Sequence, residues 1–494
     1  MPVYADSMKK LIPCHVLLFV LLLLAPQESL CSSSSPEPSL ISFAHLEKLS
    51  ETIRLAGDLV DIVHVYAKYP DYHWVEARDA GIEGTACVDD GARAGVLYLK
   101  EYERSGSPKA LTSAKRHLNL ILKMQAKSGA FFNFVRSDHS INTDGRTSLD
   151  SFDWWTVRAF CCLAHGLRVF SRCDKPFAAK LEQSLARVLP VIRKSAGLLT
   201  GFHEEKGYKI PRWLALEGAA DVSSELMIGL TEYYRFRPDK EVAGLIRILA
   251  NGLMLMQEGD TTRFPYGLFR SSGTVWHAWG NSQSQALAYA GRILQDFAMI
   301  GSAEREARGF YNRLLIGGMM KEFDITDPTK AKEFEQIAYG IRPMVACLTQ
   351  LYRATHKREY LIMAGLAGSW LFGNNPAGEP VYDAKTGRGY DGIGVEKQVN
   401  LNSGAESTIE ALLALMEIED FPLIRPYLHF RRVSSVSSGQ LVYAEFRDPS
   451  NRLLVLVLYA NDGVTHILEG PLAERFLRLK KDSGFPINAN FWFQ

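Results

Sequence analysis

The sequence predicts a mainly α fold: an (α/α)6 toroid of six helical hairpins with a small C-terminal β appendage. Three observations predict it. Six stretches share one form, a loop containing Gly, Asp or Asn followed by a helix of small and apolar residues. Amphipathic helices with charged outer faces alternate with them. Beyond Pro422 the pattern changes to short runs separated by turn signals, LVYAEF, DPSN, RLLVLVLYA, NDG and VTHILEG, which read as strands.

The chain opens with Lys9 and Lys10, an apolar run from Val16 to Ala25, then Pro26 and a Ser32–Ser35 tract followed by Pro36 and Pro38. A basic start, a short apolar core and a small-residue exit have the form of a secretory signal peptide, too short for a spanning helix. Met8 is an alternative start. Residues 1–31 are assigned to the leader and 32–40 to a Ser/Pro linker, which predicts a secreted or periplasmic protein. Cys31 raises lipid attachment, but Leu30 before it is too large for a good lipoprotein cleavage site. The toroid is expected over 41–420 and the β appendage over 421–494.

The six inner helices begin near Val88, Ser151, Asp221, Asn281, Gln336 and Ser403, spaced by roughly 50 to 70 residues. Expected outer helices run over Leu46–Tyr66, Lys109–Lys127, Pro176–Lys194, Lys240–Gln257, Ser302–Met320 and Glu359–Phe372. Gly91 and Gly95 in the first inner helix permit a close neighbour. An open solenoid builds from similar hairpins, but it gives no reason for polar and aromatic residues to gather ahead of each inner helix.

Lys plus Arg number 56 and Asp plus Glu 55, a net charge of +1 with the signs mixed, so a nucleic-acid partner is not expected. Beyond the leader remain Cys87, Cys161, Cys162, Cys173 and Cys347, without CxxC or Cys/His spacing. They read as small core hydrophobes rather than a disulfide framework or a zinc site. Ser140–Gly145 (SINTDG) faintly echoes a calcium loop, but Ser stands at the first ligand position and no Glu at the twelfth, so it reads as a connecting loop. No metal and no cofactor is called for.

In a ring of hairpins the inner helix starts share one mouth, where helix-dipole positive ends converge. Asp89 and Asp90 open the first inner helix, and Asp153, Trp154 and Trp155 the second. Glu217, Asp221 and Glu225 surround the third. Trp276, His277, Trp279 and Asn281 precede the fourth; Glu333, Glu335, Tyr339 and Arg342 mark the fifth; Asp391, Asn400, Asn402 and Glu406 mark the sixth. Indole rings stack on the C–H faces of sugars, while acids, amides and guanidiniums take their hydroxyls, so an oligo- or polysaccharide is the expected partner. Glycoside cleavage needs two carboxyl groups flanking the bond. Asp90, Asp153 and Glu406 are the catalytic candidates, with Glu406 as acid and Asp90 or Asp153 as base. Asp89, Trp154, Trp155, Arg158, Trp276, His277, Trp279, Asn281, Tyr339, Arg342, Asp391 and Asn402 are candidates to hold the sugar. Each acid has a plain alternative as a helix cap, His277 as a structural histidine, and the tryptophan pair as partial core.

The stretches Val88-Asp89-Asp90-Gly91-Ala92-Arg93-Ala94, Asp153-Trp154-Trp155-Thr156-Val157-Arg158-Ala159 and Asn400-Leu401-Asn402-Ser403-Gly404-Ala405-Glu406-Ser407-Thr408 carry a resemblance. They resemble the DDNARAL-like, WW–RA and N-x-N-x-GAEST elements of uncharacterised bacterial toroid domains in the six-hairpin glycosidase superfamily. Leu371-Phe372-Gly373-Asn374-Asn375-Pro376 and Tyr390-Asp391-Gly392 fit the same pattern, and the likeness spans Leu46 to Asp420. Gly373-Asn374-Asn375-Pro376 and Glu406 also resemble the G-x-N-P loop and catalytic acid of family nine cellulases, without the SYVTGFG-like continuation. Asp90 with Asp153 is similar to the paired aspartates of unsaturated glucuronyl hydrolases. The resemblance implies hydrolysis, usually inverting, in a superfamily that also holds lyases, epimerases and phosphorylases. A lyase or epimerase using Tyr339, His277 and Arg342, or a non-catalytic saccharide-binding protein, are the rival readings. Prenyl-processing toroids are disfavoured, since the usual first acid of their DxDD motif is missing ahead of Asp89-Asp90.

Overall fold

A computed structural model describes residues 38–76, 81–438 and 441–482. The expected leader lies outside the described residues. Six inner helices run Val88–Ser105, Trp154–Cys173, Ala220–Phe236, Gln283–Leu294, Ala338–Thr355 and Ala405–Glu419. Each packs on the next, and the sixth packs back on the first. That contact closes the ring and makes the fold an (α/α)6 toroid rather than an open solenoid, whose end repeats face solvent.

Outer helices follow the first five inner ones: Pro108–Met124, Lys175–Ser195, Lys240–Leu255, Phe297–Glu306 and Glu359–Gly368. The fourth continues through a π turn into Asn312–Gly317. The starts of the first four are fixed by side-chain caps from Ser107, Asp174, Asp239 and Asp296. Asp174 closes a hairpin by itself: its backbone N–H donates to Phe170 O, and its carboxylate accepts from Phe177 N at 3.1 Å.

The expected outer helix over Leu46–Tyr66 does not form. Ala44–Leu49 is a short helix, and Ser50–Leu55 pairs antiparallel with Asp58–Val63. Ala56 and Gly57 take φ of 46° and 88° as a two-residue hairpin loop, the geometry that matches strand twist. Ile53 and Leu55 on one strand, with Val60 and Ile62 on the other, are thus buried at a period of two rather than a helical one, and Ile53 pairs with Val60. Beside the sixth inner helix stand Ala44–Leu49 and a 3-10 stretch, Pro422–His429, in place of a long outer helix.

Close approach between inner helices depends on residues without bulk. A Cβ on Gly95 would lie 2.6 Å from Cys162 Sγ, and one on Gly229 would lie 2.5 Å from Cys161 Sγ. The adjacent cysteines of the second inner helix therefore act as small packing groups facing the first and third.

Four strands, Arg431–Ser438, Leu441–Arg447, Leu453–Tyr459 and Thr465–Glu469, form one antiparallel sheet in sequence order. Val442, Ala444, Phe446, Leu454, Leu456 and Leu458 join the main core. Leu441, Leu453, Val455 and Val457 on the other face pack with Ala473 and Phe476 of a final helix, Pro471–Asp482. The first strand and this helix were not anticipated. Leu453–Tyr459 is covered on both faces and lacks the polar-out alternation of a half-exposed strand, whereas residues 431–435 of the first strand are exposed.

Connections on the two sides of the ring differ. Away from the mouth, hairpins close through Gly106–Ser107, Asp174, Arg237–Asp239, Gln295–Asp296 and His356–Arg358. On the mouth side, chain returns to each inner helix through long loops, including the whole stretch 125–153. Long loops held by a rigid scaffold are where function concentrates.

Gly95→Ala is expected to destabilise the protein by about 1–3 kcal/mol through overpacking against Cys162. Cys162→Ala in the same chain should recover part of that loss, read as coupling between the two substitutions in urea unfolding. Additive losses would show that the two residues do not share one contact.

Candidate functional site

On the mouth side a cavity of about 960 Å³ opens among the inner-helix starts and their loops. Its wall includes Asp89, Asp90, Trp154, Trp155, Arg158, Trp279, Tyr339, Asp391 and Glu406. These come from the helix starts or preceding loops of five hairpins. The third to sixth inner helices have no side-chain N-cap from the residue preceding them, and Asp391, in the loop before the sixth, accepts from Gly404 N at 3.0 Å.

The floor is a buried ion network with a contribution from every inner helix. Arg93 of the first donates to Asp90 at 2.6 Å, to Glu410 at 2.9 Å and to Glu406 at 3.2 Å. Arg342 of the fifth donates to Glu410 at 2.7 Å, to Glu225 of the third at 3.1 Å and to Gln285 of the fourth at 3.0 Å. Arg158 of the second pairs with Asp89 and donates to the Tyr339 hydroxyl. All three guanidiniums stand over the Tyr339 ring, 5.4 to 5.6 Å from its centroid.

Five carboxyl groups, Asp89, Asp90, Glu225, Glu406 and Glu410, thus meet three guanidiniums. Burial raises Asp90 above the usual carboxylate range, with Arg93 opposing the shift. Burial likewise raises Glu406, again against Arg93. Burial works on Glu410 too, but Arg342 and Arg93 outweigh it and hold that carboxyl low. Glu406 is recessed inside the ring, yet 46% of its side chain is open to the cavity. Asp90 reaches the cavity only marginally, and both its oxygens are engaged: one takes the Arg93 bond and the other accepts from Cys87 Sγ at 3.2 Å.

The remaining candidates fall into two groups. Asp391 lines the cavity; one of its oxygens accepts from Gly404 N and from Ser407 Oγ at 2.7 Å, and burial raises its carboxyl. Trp154 and Trp279 form an aromatic wall, ring centroids 6.3 Å apart, with Arg158 over Trp154. Trp155 touches the cavity but is mostly core, its Nε1 donating to Phe131 O.

Six candidates are not among the residues lining this cavity. Asp153 caps the second inner helix, accepting from Trp154 N at 2.7 Å. Trp276 is packed against Phe310 and Phe323. His277 lies buried between the Asp221 carboxylate at 3.2 Å and Trp279 O at 2.7 Å, stacked on the Trp279 ring. Its contact with substrate is replaced by support of that indole. Asn281 Nδ2 donates to Ser271 Oγ and Phe269 O, and Asn402 Oδ1 accepts from Tyr69 N. Arg342 belongs to the floor network, held by Glu410, Glu225 and Gln285. Conversely Asn133, Thr147 and Gln398, from the long mouth loops, line the cavity without any pattern that marked them in the sequence.

No family model matches the chain, and no relative is found among curated proteins. Solved structures do match. A sugar epimerase from a ruminal bacterium aligns at TM-score 0.51 and 13% identity over 73% of this chain and 92% of that one. Cellobiose 2-epimerase from Bacillus thermoamylovorans aligns at 0.50 and 12% over 72% and 92%. Cellobiose 2-epimerase from Spirochaeta thermophila aligns at 0.50 and 11% over 68% and 87%. This chain therefore shares their toroid fold.

Removing the central cation should be costly. Arg93→Met is expected to destabilise by about 3–5 kcal/mol, because it strands buried carboxylates. The same substitution in a Glu410→Gln background should cost less. Chemical denaturation of the four proteins measures the difference, and an equal cost in both backgrounds would sink the network reading.

Proposed function

We propose that the mouth cavity is the active site of a carbohydrate-processing enzyme that hydrolyses a glycosidic bond. The observation that carries this reading is Glu406, a carboxyl with raised proton affinity that faces the cavity. A carboxyl that keeps its proton serves as general acid to a leaving-group oxygen. Asp391 is the favoured partner: it lines the same cavity, and its carboxylate is oriented by Gly404 N and Ser407 Oγ. In this scheme Glu406 gives its proton to the glycosidic oxygen while Asp391 takes one from the attacking water, the pattern of two-carboxyl inversion. Asp90, engaged by Arg93 and Cys87, positions Arg93 rather than touching substrate. Trp154 and Trp279 offer stacking faces for sugar rings.

The wall carries Asp89, Asp90, Glu335, Asp391 and Glu406 against Arg93 and Arg158, and both cations are already paired. That balance disfavours a uronate substrate and with it a lyase. Epimerisation is the second reading, supported by the named activity of the three epimerases. Among the described wall residues there is no histidine to exchange a C–H proton, whereas carboxyls are abundant, which favours hydrolysis. The leader-like residues 1–31 support action on a saccharide outside the cytoplasm.

A panel of oligosaccharides analysed by NMR separates the readings: hydrolysis yields new reducing ends, epimerisation an inverted ring carbon without cleavage. Glu406→Gln is expected to lower kcat by about 10²–10⁴ with an unchanged melting temperature. Because the raised carboxyl works while protonated, wild-type kcat should fall as pH rises through its pKa. Full activity of Glu406→Gln on the cleaved substrate would falsify the assignment.

A further inference from the structure

Behind the ion network lies a second chamber of about 520 Å³, at the opposite end of the ring. Arg93 and Arg158 line both cavities, so the network is the partition between them. The rear chamber is built from the last turns of the inner helices, and its charges are nearly all matched. Glu417 takes Lys100 at 2.6 Å and Arg353 at 2.7 Å, and Arg353 also reaches Asp420 at 2.5 Å. Glu232 takes Arg168 at 2.5 Å and Arg235 at 3.1 Å, and Glu103 takes Arg168 as well. Arg104 is held by Glu101 at 2.7 Å.

Arg292 is the exception. Among the described residues no carboxylate lies within ion-pair distance of it. Its Nε is buried with no hydrogen-bond partner, and among the described residues its guanidinium makes a single long bond, to Gln350 Oε1 at 3.4 Å. Burial lowers its proton affinity, and the charges of Arg235 and Arg353 add to that against Tyr289 and Glu232. Helix C-termini favour cations and account for basic residues at this end. They do not supply the missing acceptor. Tyr289, with Arg292 and Arg235 at 5.6 and 5.9 Å from its ring centroid, offers a flat wall instead.

We propose that the rear chamber binds a phosphate group on Arg292, with the paired Arg235 and Arg353 of the neighbouring inner helices adding positive charge beside it. Nine Lys and Arg side chains line the chamber against five carboxylates, an excess that suits a multiply charged oxyanion, unlike the acid-rich mouth. The chamber is larger than the ion alone, so it has room for a small phosphorylated molecule.

The test uses the full chain and does not depend on the proposed hydrolase activity. Thermal melts and calorimetric titrations are run with inorganic phosphate, with a hexose 6-phosphate, and with sodium chloride at matched ionic strength. Phosphate is expected to raise the melting temperature beyond the chloride control. Arg292→Gln should weaken binding about tenfold or more, a charge-assisted bond lost. It should melt at or above the wild type without ligand, since an unpaired cation has been removed. Gln350→Glu, which gives Arg292 a carboxylate, should abolish the phosphate effect by a different route. Tighter binding of the hexose phosphate identifies a phosphorylated metabolite, and equal affinity identifies free phosphate. A shift no larger than that of chloride, or one unchanged in both variants, overturns the proposal.

Discussion

Six helices that meet around an axis must fill that axis, and here they fill it with charge rather than with hydrocarbon. Arg93, Arg158 and Arg342 interlock with Asp89, Asp90, Glu225, Glu406 and Glu410 around the Tyr339 ring, so every inner helix is tied to its counterparts across the ring. Buried charges are costly unless fully partnered, and that cost constrains the relative rotation of all six helices. The network also divides the central channel, leaving a deep cavity on the mouth side and a smaller one behind.

The displaced proton affinities at the mouth follow from the same network. It holds more carboxyls than guanidiniums, in surroundings that disfavour charge. Burial therefore raises the proton affinity of Asp90, deep in the network, and of Glu406, where the cavity begins. Structural need and chemical opportunity coincide at one site: the groups that hold the helices in register are those whose proton affinity is displaced. Loop asymmetry completes the arrangement, since short rear connections leave that end bare and long mouth loops bring Trp279, Asp391 and Gln398 over the cavity.

Several candidate residues turned out to support the site from beneath it. His277 stacks under Trp279, Asp153 closes the first turn of the helix that carries Trp154 and Arg158, and Arg342 braces Glu410. Position along the chain placed them at the mouth of the ring. Which side of the helix each occupies decided whether it meets the cavity or the core.

The helical repeat, the six inner-helix starts and the clustering of acids and indoles ahead of them were legible in the sequence, because amphipathic period and capping chemistry are local properties. The Ser50–Val63 hairpin was not, since its apolar spacing serves two periods and only the Ala56-Gly57 turn and the packing behind it choose between them. Ring closure, the pairing of Arg93 with Glu406 and Glu410 across more than three hundred residues, and the sorting of carboxyls into engaged and open were decided by tertiary structure alone. A proton affinity depends on burial and on neighbouring charges, and both come into being only when distant segments meet.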